Sequence, residues 1–586
     1  MAERTIDWCI GGCLAMLSLA ACGGSAPGDG DDSSASITTL TTLSGTDSDT
    51  DPDAESSGSD TDAGGEIDFL EVIPVESLIE LDLGAPTTIE FVVEANYNDG
   101  STADVTAQAQ WVVTNETLGA MNGSTFEVPG FADPFFESTI ITAAVDGTVG
   151  KAQVTVAAYD LANDFFFVLP FNDEDGPQDK PLTFSTEVKS LDVFINMDVT
   201  GSMSEEINNL RAALSGDIIP TITAQVPDTQ FGAGSFADFP LAPYGTVGTD
   251  QPFTLLQPIT ANVTDVQIAV GTYVAAGGND GPESNIEALY QIATGEGLVA
   301  PAPTNVAPNM VGIGGVGFRE GSFPLVVSIT DALSHDPMGN AACDFGGPEV
   351  YAGAVATNAH NQTQAMDALN SICGRVIQIA VGATGTCSAY DDGVQFAEAT
   401  GAMVPPEAWD VAGRPAGCVA GQCCTGLFGA GVAPGPTGLC PMTYQADANG
   451  TGVDSSFSSA VSLLAAYGQF DVTSMVTGVE ADVDGEALPA GTTTADFVQS
   501  VTPFDHGPVP LPGVADPVLT PTTFEGVVPD TDVIFTVTAF NDFVEQGTSP
   551  RLFTANIQVL ADSCGELDDR DVFILVPPEE LPPPAG

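Results

Sequence analysis

The stretch "LDVFINMDVTGSMSEE", Leu191–Glu206, decides how the long middle of this chain is read. An apolar run carrying only Asp192 and Asn196 as polar interruptions ends on Asp198, and hydroxyls follow at Thr200 and Ser202. A strand apolar along nearly its whole length is the kind buried on both faces of a sheet. Beyond the turn, Ile207, Leu210, Leu214 and Ile218 recur at helical spacing, so the stretch reads as strand, turn, amphipathic helix. Within the turn, alternate residues of an Asp-x-Thr-x-Ser loop point the same way and offer oxygen atoms suited to a hard divalent cation. The same residues are ordinary turn and N-cap types, and Ser204 is placed to cap the following helix. From the turn alone, both readings stand.

The surroundings repeat the pattern. "QFGAGSF" (Gln230–Phe236), "FPLVVSITD" (Phe323–Asp331) and "RVIQIAVGA" (Arg375–Ala383) read as further strands, the last two nearly all apolar. "SNIEALYQIA" (Ser284–Ala293), "TQAMDALNSI" (Thr363–Ile372), "VQFAEATGAM" (Val394–Met403) and "SSFSSAVSLLAAYGQF" (Ser455–Phe470) read as helices between and after them. Buried strands alternating with amphipathic helices predict an α/β doubly wound, Rossmann-like domain with a mostly parallel sheet. Ligands of such sheets bind beyond the carboxyl ends of the strands, which is where Asp198 and Asp331 fall.

Both flanks are β-rich. Ile89, Phe91, Val93, Ala95 and Tyr97 alternate with mostly polar partners, and "NDG" (Asn98–Gly100) supplies hairpin-turn chemistry. After the α/β region, Val533, Phe535, Val537 and Ala539 alternate, as do Phe553, Ala555, Ile557 and Val559. "DFFFVLPFNDEDGPQDKPLTFST" (Asp164–Thr186) is strand-like but too short to fold alone, so the two flanks are expected to build one β-sandwich around an inserted α/β domain. Residues 67–158 resemble the bacterial Ig-like domains of surface proteins through "YNDGSTADVT" and the following Trp111, a match that implies a spacer.

The chain has 586 residues, more than one core usually serves, with 43% hydrophobic and 15% charged residues. Its 80 acidic side chains against 10 basic ones give a formal charge of -70, which disfavours nucleic acid and anionic membrane surfaces and favours divalent cations and basic partners. General solvation explains such a charge equally well. "CIGGCLAMLSLAA" (Cys9–Ala21) is too short to span a bilayer and reads as an export signal, 1–21. "LAAC" resembles the lipobox of bacterial lipoproteins, which implies that Cys22 is lipidated. Residues 22–66 are Ser, Thr, Asp and Gly with little apolar content, a composition expected to form a disordered tether. Export permits disulfides among Cys343, Cys373, Cys387, Cys418, Cys423, Cys424, Cys440 and Cys564, with connectivity open. The cluster at 418–440 offers zinc as the alternative, but it lacks a histidine and the C-x2-C spacing.

Taken in order, "DVTGS" after a strand, "QFGAGSF", "GPE" (Gly281–Glu283) and "GFREGSFPLVVSITDA" (Gly317–Ala332) resemble the von Willebrand factor A domain, in particular that of integrin β-subunits. The resemblance covers about 190–470, and it implies a metal-ion-dependent adhesion site built from Asp198, Thr200, Ser202, Glu283 and Asp331. Thr200 stands where the family has serine and keeps the hydroxyl. The family's flanking calcium sites would fall on Glu205 and Glu206, with longer side chains than usual, and on Asp280, where Gly278 replaces an expected Asn. The implied cofactor is Mg2+ or Mn2+, with Ca2+ at the flanks. The implied partner is a protein offering an Asp or Glu carboxylate to the open metal position.

The expected organisation is then: 1–21 signal, 22–66 tether, 67–158 Ig-like sandwich, 159–189 first strands of a second sandwich, 190–470 A domain with a Cys-rich insertion, 471–586 remaining strands and a Pro-rich tail. No enzyme is expected, because neither G-x-S-x-G nor H-E-x-x-H occurs and the histidines are only His335, His360 and His506. His335, just past Asp331, reads as a loop residue. "EADVDGE" (Glu480–Glu486) and "NDEDG" (Asn172–Gly176) lack full calcium-loop spacing and read as solvated turns. Two functions remain: a lipid-anchored adhesion protein of the bacterial envelope, or an envelope scaffold in which the metal only rigidifies the fold.

Overall fold

The computed structural model describes residues 37–38, 65–161, 164–382, 384–579 and 581. The signal, Cys22, most of the tether and the end of the Pro-rich tail lie outside the described residues. Among the described residues, no helix is long and apolar enough to cross a membrane.

The chain is a multidomain, mixed α/β protein. Its middle carries an open six-stranded sheet: β1 (Ser190–Asp198), β2 (Asp228–Phe236), β3 (Thr254–Thr260), β4 (Phe323–Thr330), β5 (Arg375–Val381) and β6 (Thr443–Ala446). Their spatial order is β3-β2-β1-β4-β5-β6, parallel except for the edge strand β3. The uninterrupted apolar runs are explained by burial: every residue of β4 and β5 is buried, and only the first residue of β1 is not. Helices α1 (Ser204–Ala213), α2 (Val263–Gly271), α3 (Asn285–Thr294), α4 (Gln362–Ser371), α5 (Ala389–Ala399) and α6 (Val453–Tyr467) connect and cover the strands. Ile207, Leu210, Val266 and Phe457 pack from α1, α2 and α6 into one core; Ile286, Leu289, Met366 and Leu369 pack from α3 and α4 into another. The two cores account for a sheet buried on both faces. Ser204 does not cap α1: it is the first helical residue, Met203 holds the cap position, and no side chain accepts a cap hydrogen bond.

Strands on either side of this unit share sheets. Phe165–Val168 runs parallel to Gly565–Val576, and Gln178–Phe184 pairs antiparallel with Val533–Ala539. The sheet core and the sandwich core are one continuous apolar cluster, from Val193 and Ile377 through Phe470 to Phe535 and Ile557. The residue pattern between Thr88 and Tyr97, which reads as one strand, is two. Thr87–Glu90 and Val92–Tyr97 belong to different sheets, and the chain crosses at Phe91, which is fully buried and whose N–H donates to Ser124 O.

All eight cysteines beyond Cys22 are in disulfides: Cys343–Cys387, Cys373–Cys564, Cys418–Cys424 and Cys423–Cys440. The zinc alternative for the 418–440 cluster is thereby removed, since a bridged sulfur is no thiolate ligand. At "EADVDGE", Asp482 is buried rather than solvated, and both its oxygens are taken, one by the N–H groups of Asp484 and Glu486 and the other by Arg551.

Candidate metal centre

The strand order reverses between β1 and β4, which opens a crevice at the carboxyl ends of these two strands. Asp198 is the last residue of β1, and Asp331 directly follows β4. Asp198 is fully buried and its oxygens are both engaged: Oδ1 accepts from the Thr200 N–H and hydroxyl, each at 2.8 Å, and Oδ2 from the Thr330 hydroxyl at 2.6 Å. The hydroxyl chain continues outward, with Thr200 Oγ1 3.5 Å from Ser202 Oγ, which donates to Asp331 Oδ1 at 3.1 Å. The alternation of the "DVTGS" turn thus does what its spacing predicts, setting two hydroxyls between two carboxylates.

Glu283 enters from the loop before α3. Its backbone is held by its N–H to Leu333 O (2.8 Å) and by His335 N–H to its own carbonyl (2.7 Å). Its side chain is buried, and Oε2 has no hydrogen-bond partner. Gly278 separates Glu283 from Thr200: at φ +69, a Cβ on this residue would stand 2.7 Å from Glu283 Oε1 and 3.2 Å from Thr200 Cβ. A side chain here, where the family resemblance leads one to expect an Asn, would require the Glu283 carboxyl to shift.

All three carboxyls are raised above their ordinary values. Burial first, and the Asp331 charge second, push Asp198 up to about 7. Burial, then the charges of Asp198, Asp238, Asp280 and Asp250, push Glu283 up to about 12. Burial also raises Asp331. None of the Lys or Arg ion pairs among the described residues involves Asp198, Glu283 or Asp331. Oxygen-only donors, two hydroxyls, an unpartnered buried oxygen and no resident positive charge fit a hard divalent cation. Asp198, Glu283 and Asp331 do not bring one oxygen each within 4.8 Å of one another, so a cation among them would take the hydroxyls directly and reach some carboxylates through water, as Mg2+ commonly does.

The group that does converge to that distance among the described residues is Asp238, Asp280 and His335. His335 lies in a loop, as its sequence context suggests, but it is buried there, stacked 4.1 Å from Tyr351 and edge-on to Tyr244. Its Nδ1 donates to Glu349 O at 2.8 Å, which leaves Nε2 facing Asp238 Oδ2 at 3.3 Å and Asp280 Oδ2 at 3.4 Å. A neutral ring would then aim a lone pair at two carboxylates, so this nitrogen carries either a proton or a metal. Burial alone would lower His335, but the two carboxylates outweigh it and push the ring up to about 9. Asp280 was legible in the sequence. Asp238 was missed, although it stands two residues past "QFGAGSF" at the same sheet edge.

The two residues proposed for a flanking site separate. Glu206 is buried in the first turn of α1, with Oε2 unpartnered and its carboxyl raised by burial, whereas Glu205 is exposed.

No protein-family model matches the chain, and no curated protein does. Among solved structures, a von Willebrand factor type A protein from Catenulispora acidiphila aligns over 80% of this chain and 74% of that one, at 9% identity and a TM-score of 0.26. The pilus adhesin SpaC from Lactobacillus rhamnosus GG, in its open conformation, aligns over 84% of this chain at 11% identity and a TM-score of 0.27. The chain spans about half of that adhesin, 55% of its length. Alignments this loose carry no argument about function.

Proposed function

We propose that this chain is a lipid-anchored protein of the bacterial envelope that binds a protein, or another carboxylate-bearing ligand, through a divalent-metal-dependent adhesion site in a von Willebrand factor A domain. The observation that carries the reading is buried Glu283, its Oε2 unpartnered, beside the Asp198–Thr200–Ser202–Asp331 hydroxyl and carboxylate chain, with no Lys or Arg ion pair to these carboxylates among the described residues. Mg2+ or Mn2+ supplies the missing charge and an open coordination position for the ligand's carboxylate. This chain's part is positional. Asp198 orients Thr200, Gly278 keeps Glu283 close to it, and exposed Ser202 marks the side from which a ligand arrives. The chemistry is association without bond breaking, and we assign no catalytic residue. The Asp238–Asp280–His335 group is a flanking cation position, where Ca2+ or a transition ion competes with the His335 proton. Four disulfides support an exported location, with Cys22 as the lipid attachment and 22–66 as the tether.

The test is calorimetric titration of the metal-free chain with Mg2+, repeated on Asp198→Ala. Loss of the binding heat in the variant is expected, and equal binding would sink the assignment. The scaffold alternative is favoured by the complete burial of Asp198. It predicts Mg2+ binding with no chelator-sensitive ligand capture.

A further inference from the structure

A cleft of about 1060 Å3 opens between α4, α5 and the loop that follows β4, a volume that suits a small organic ligand. None of the residues of the metal centre or of the Asp238–Asp280–His335 group lines it. Five carboxylates do: Asp336 and Glu349 from the loop, Asp367 from α4, and Asp391 and Asp392 from the first turn of α5. Among the described residues no Lys, Arg or His lines the cleft, and none of the five carboxylates is in an ion pair.

The polar groups buried in its wall are not all satisfied. Both oxygens of Asp336 are taken, by the Met338 N–H at 2.7 Å and the Gln362 N–H at 3.3 Å. Asp392 is 7% exposed and accepts from the Ser334 N–H at 2.6 Å. Burial first, and then the charges of Glu349 and Asp391, push its carboxyl up to about 8. The buried Ser334 hydroxyl stands close enough to Asp392 to offset part of that rise, yet it meets no partner in hydrogen-bond geometry. Buried groups of this kind gain most from a ligand that brings both positive charge and N–H donors.

The lining also says which cation. No three of these carboxylates bring one oxygen each within 4.8 Å of one another, so they are spread along a cleft rather than gathered around a point. Such spacing fits an extended organic cation better than a bare metal ion. An anion is disfavoured, because the N-terminus of α5 is already capped by the Ser388 side chain and carries Asp391 and Asp392. Leu333, Met338 and Met366 offer apolar contact to a carbon skeleton, and six carboxamides, Gln362 and Gln395 among them, offer donors and acceptors to its polar substituents. The Cys343–Cys387 bridge ties the loop to the residue before the α5 cap, which holds the two walls together before any ligand arrives.

We propose that this cleft binds a small organic cation bearing primary ammonium groups, with Asp392 and Glu349 as its anionic partners. The proposal stands apart from the adhesion reading. Polyamines and amino sugars share this chemistry, and the test separates them. The full chain is titrated calorimetrically with spermidine and with neamine, in saturating Mg2+ and about 150 mM NaCl to screen exposed charges. One-to-one binding of at least one compound is expected, weakened at least about tenfold in Asp392→Asn and in Glu349→Gln. Glu349 is only half-buried, so its variant keeps the test decisive where Asp392→Asn fails to fold. Asp217→Asn removes an exposed carboxylate beyond α1 and should bind like wild type. Acetylating every amine of the bound compound should abolish binding. Binding of spermidine alone assigns polyamines, of neamine alone amino sugars, and of both the ammonium group whatever its skeleton. No saturable binding by either compound overturns the proposal. So does equal affinity in wild type and Glu349→Gln, or acetylated forms that bind as tightly. Mg2+ affinity should be unchanged in Glu349→Gln, so failure here and failure of the metal assignment are read separately.

Discussion

The two edges of the parallel sheet treat buried carboxylates in opposite ways. At the amino edge, fully buried Asp192 near the start of β1 accepts from Arg319 Nε at 2.8 Å, from Arg319 N–H at 2.7 Å and from Ser322 Oγ at 2.8 Å. Arg319 also reaches Asp228 at the start of β2, Lys189 pairs with Asp568 at 2.6 Å, and Arg375 at the start of β5 pairs with Asp562. At the carboxyl edge, Asp198, Glu283 and Asp331 have no Lys or Arg ion pair among the described residues. Only 10 basic residues serve the whole chain, and several stand at the edge where the sheet meets the sandwich. Positive charge is scarce here, and its distribution separates carboxylates paired with a base from those left without one.

The largest effect should come from breaking the amino edge. Arg319→Ala leaves Asp192 buried and unpaired, which should cost about 3–5 kcal/mol of stability in urea unfolding. Saturating Mg2+ should not restore the loss, and Mg2+ affinity should stay near wild type. If Mg2+ rescued the variant, the two edges would not be independent. The corresponding break at the carboxyl edge, Asp198→Ala, should do the reverse, removing at least about two orders of magnitude in Mg2+ affinity.

A second contrast lies in pH. Asp198 is raised to about 7 in the fold, above the 3.8 of an ordinary Asp, so the metal-free fold binds more protons than the unfolded chain between those values. Its contribution to stability therefore grows as pH falls through 7, opposite to the usual acid destabilisation. Between pH 8 and pH 5 the gain from this one group should be about 2–3 kcal/mol. Unfolding of wild type and Asp198→Asn at both pH values isolates it, because the general relief of acidic repulsion is common to both. If the proposed site binds Mg2+, binding competes with the Asp198 proton, and the stabilisation by Mg2+ should be larger at pH 8 than at pH 5. An Asp198→Asn variant with the wild-type pH dependence would show that Asp198 is not the group that titrates.

How far the sequence led depended on whether a signal was local or assembled. Strand burial was legible because β4 and β5 carry it in every residue and β1 in all but its first, and the "DVTGS" turn keeps its oxygens within five positions. The break at Phe91 was not legible, since alternation continues across a residue where the chain changes sheets. His335 and Asp238 lie almost a hundred residues apart and meet only because β2 and β4 flank β1 at the same edge. Nothing in "LSHDP" distinguishes a histidine that faces two carboxylates from one that faces water. Gly278 reads as a lost ligand in the sequence, and only the fold shows the Glu283 carboxyl close against it.

The smallest effect separates two neighbours that look equivalent in "SEE". Glu206 is buried in the first turn of α1 and feels the charge of Asp331, whereas Glu205 on the same turn is exposed to solvent. A buried carboxylate adds to the negative field that draws a cation, and an exposed one is screened by water and salt. Glu206→Gln should therefore weaken Mg2+ about threefold, while Glu205→Gln should leave the titration unchanged. The same pair titrated with Ca2+ asks whether Glu206 holds an ion of its own. A Ca2+ event present in wild type and in Glu205→Gln, but absent in Glu206→Gln, would make Glu206 a ligand. Loss of that event in Glu205→Gln alone would reverse the order that burial predicts and show that the helix start rearranges when the cation binds.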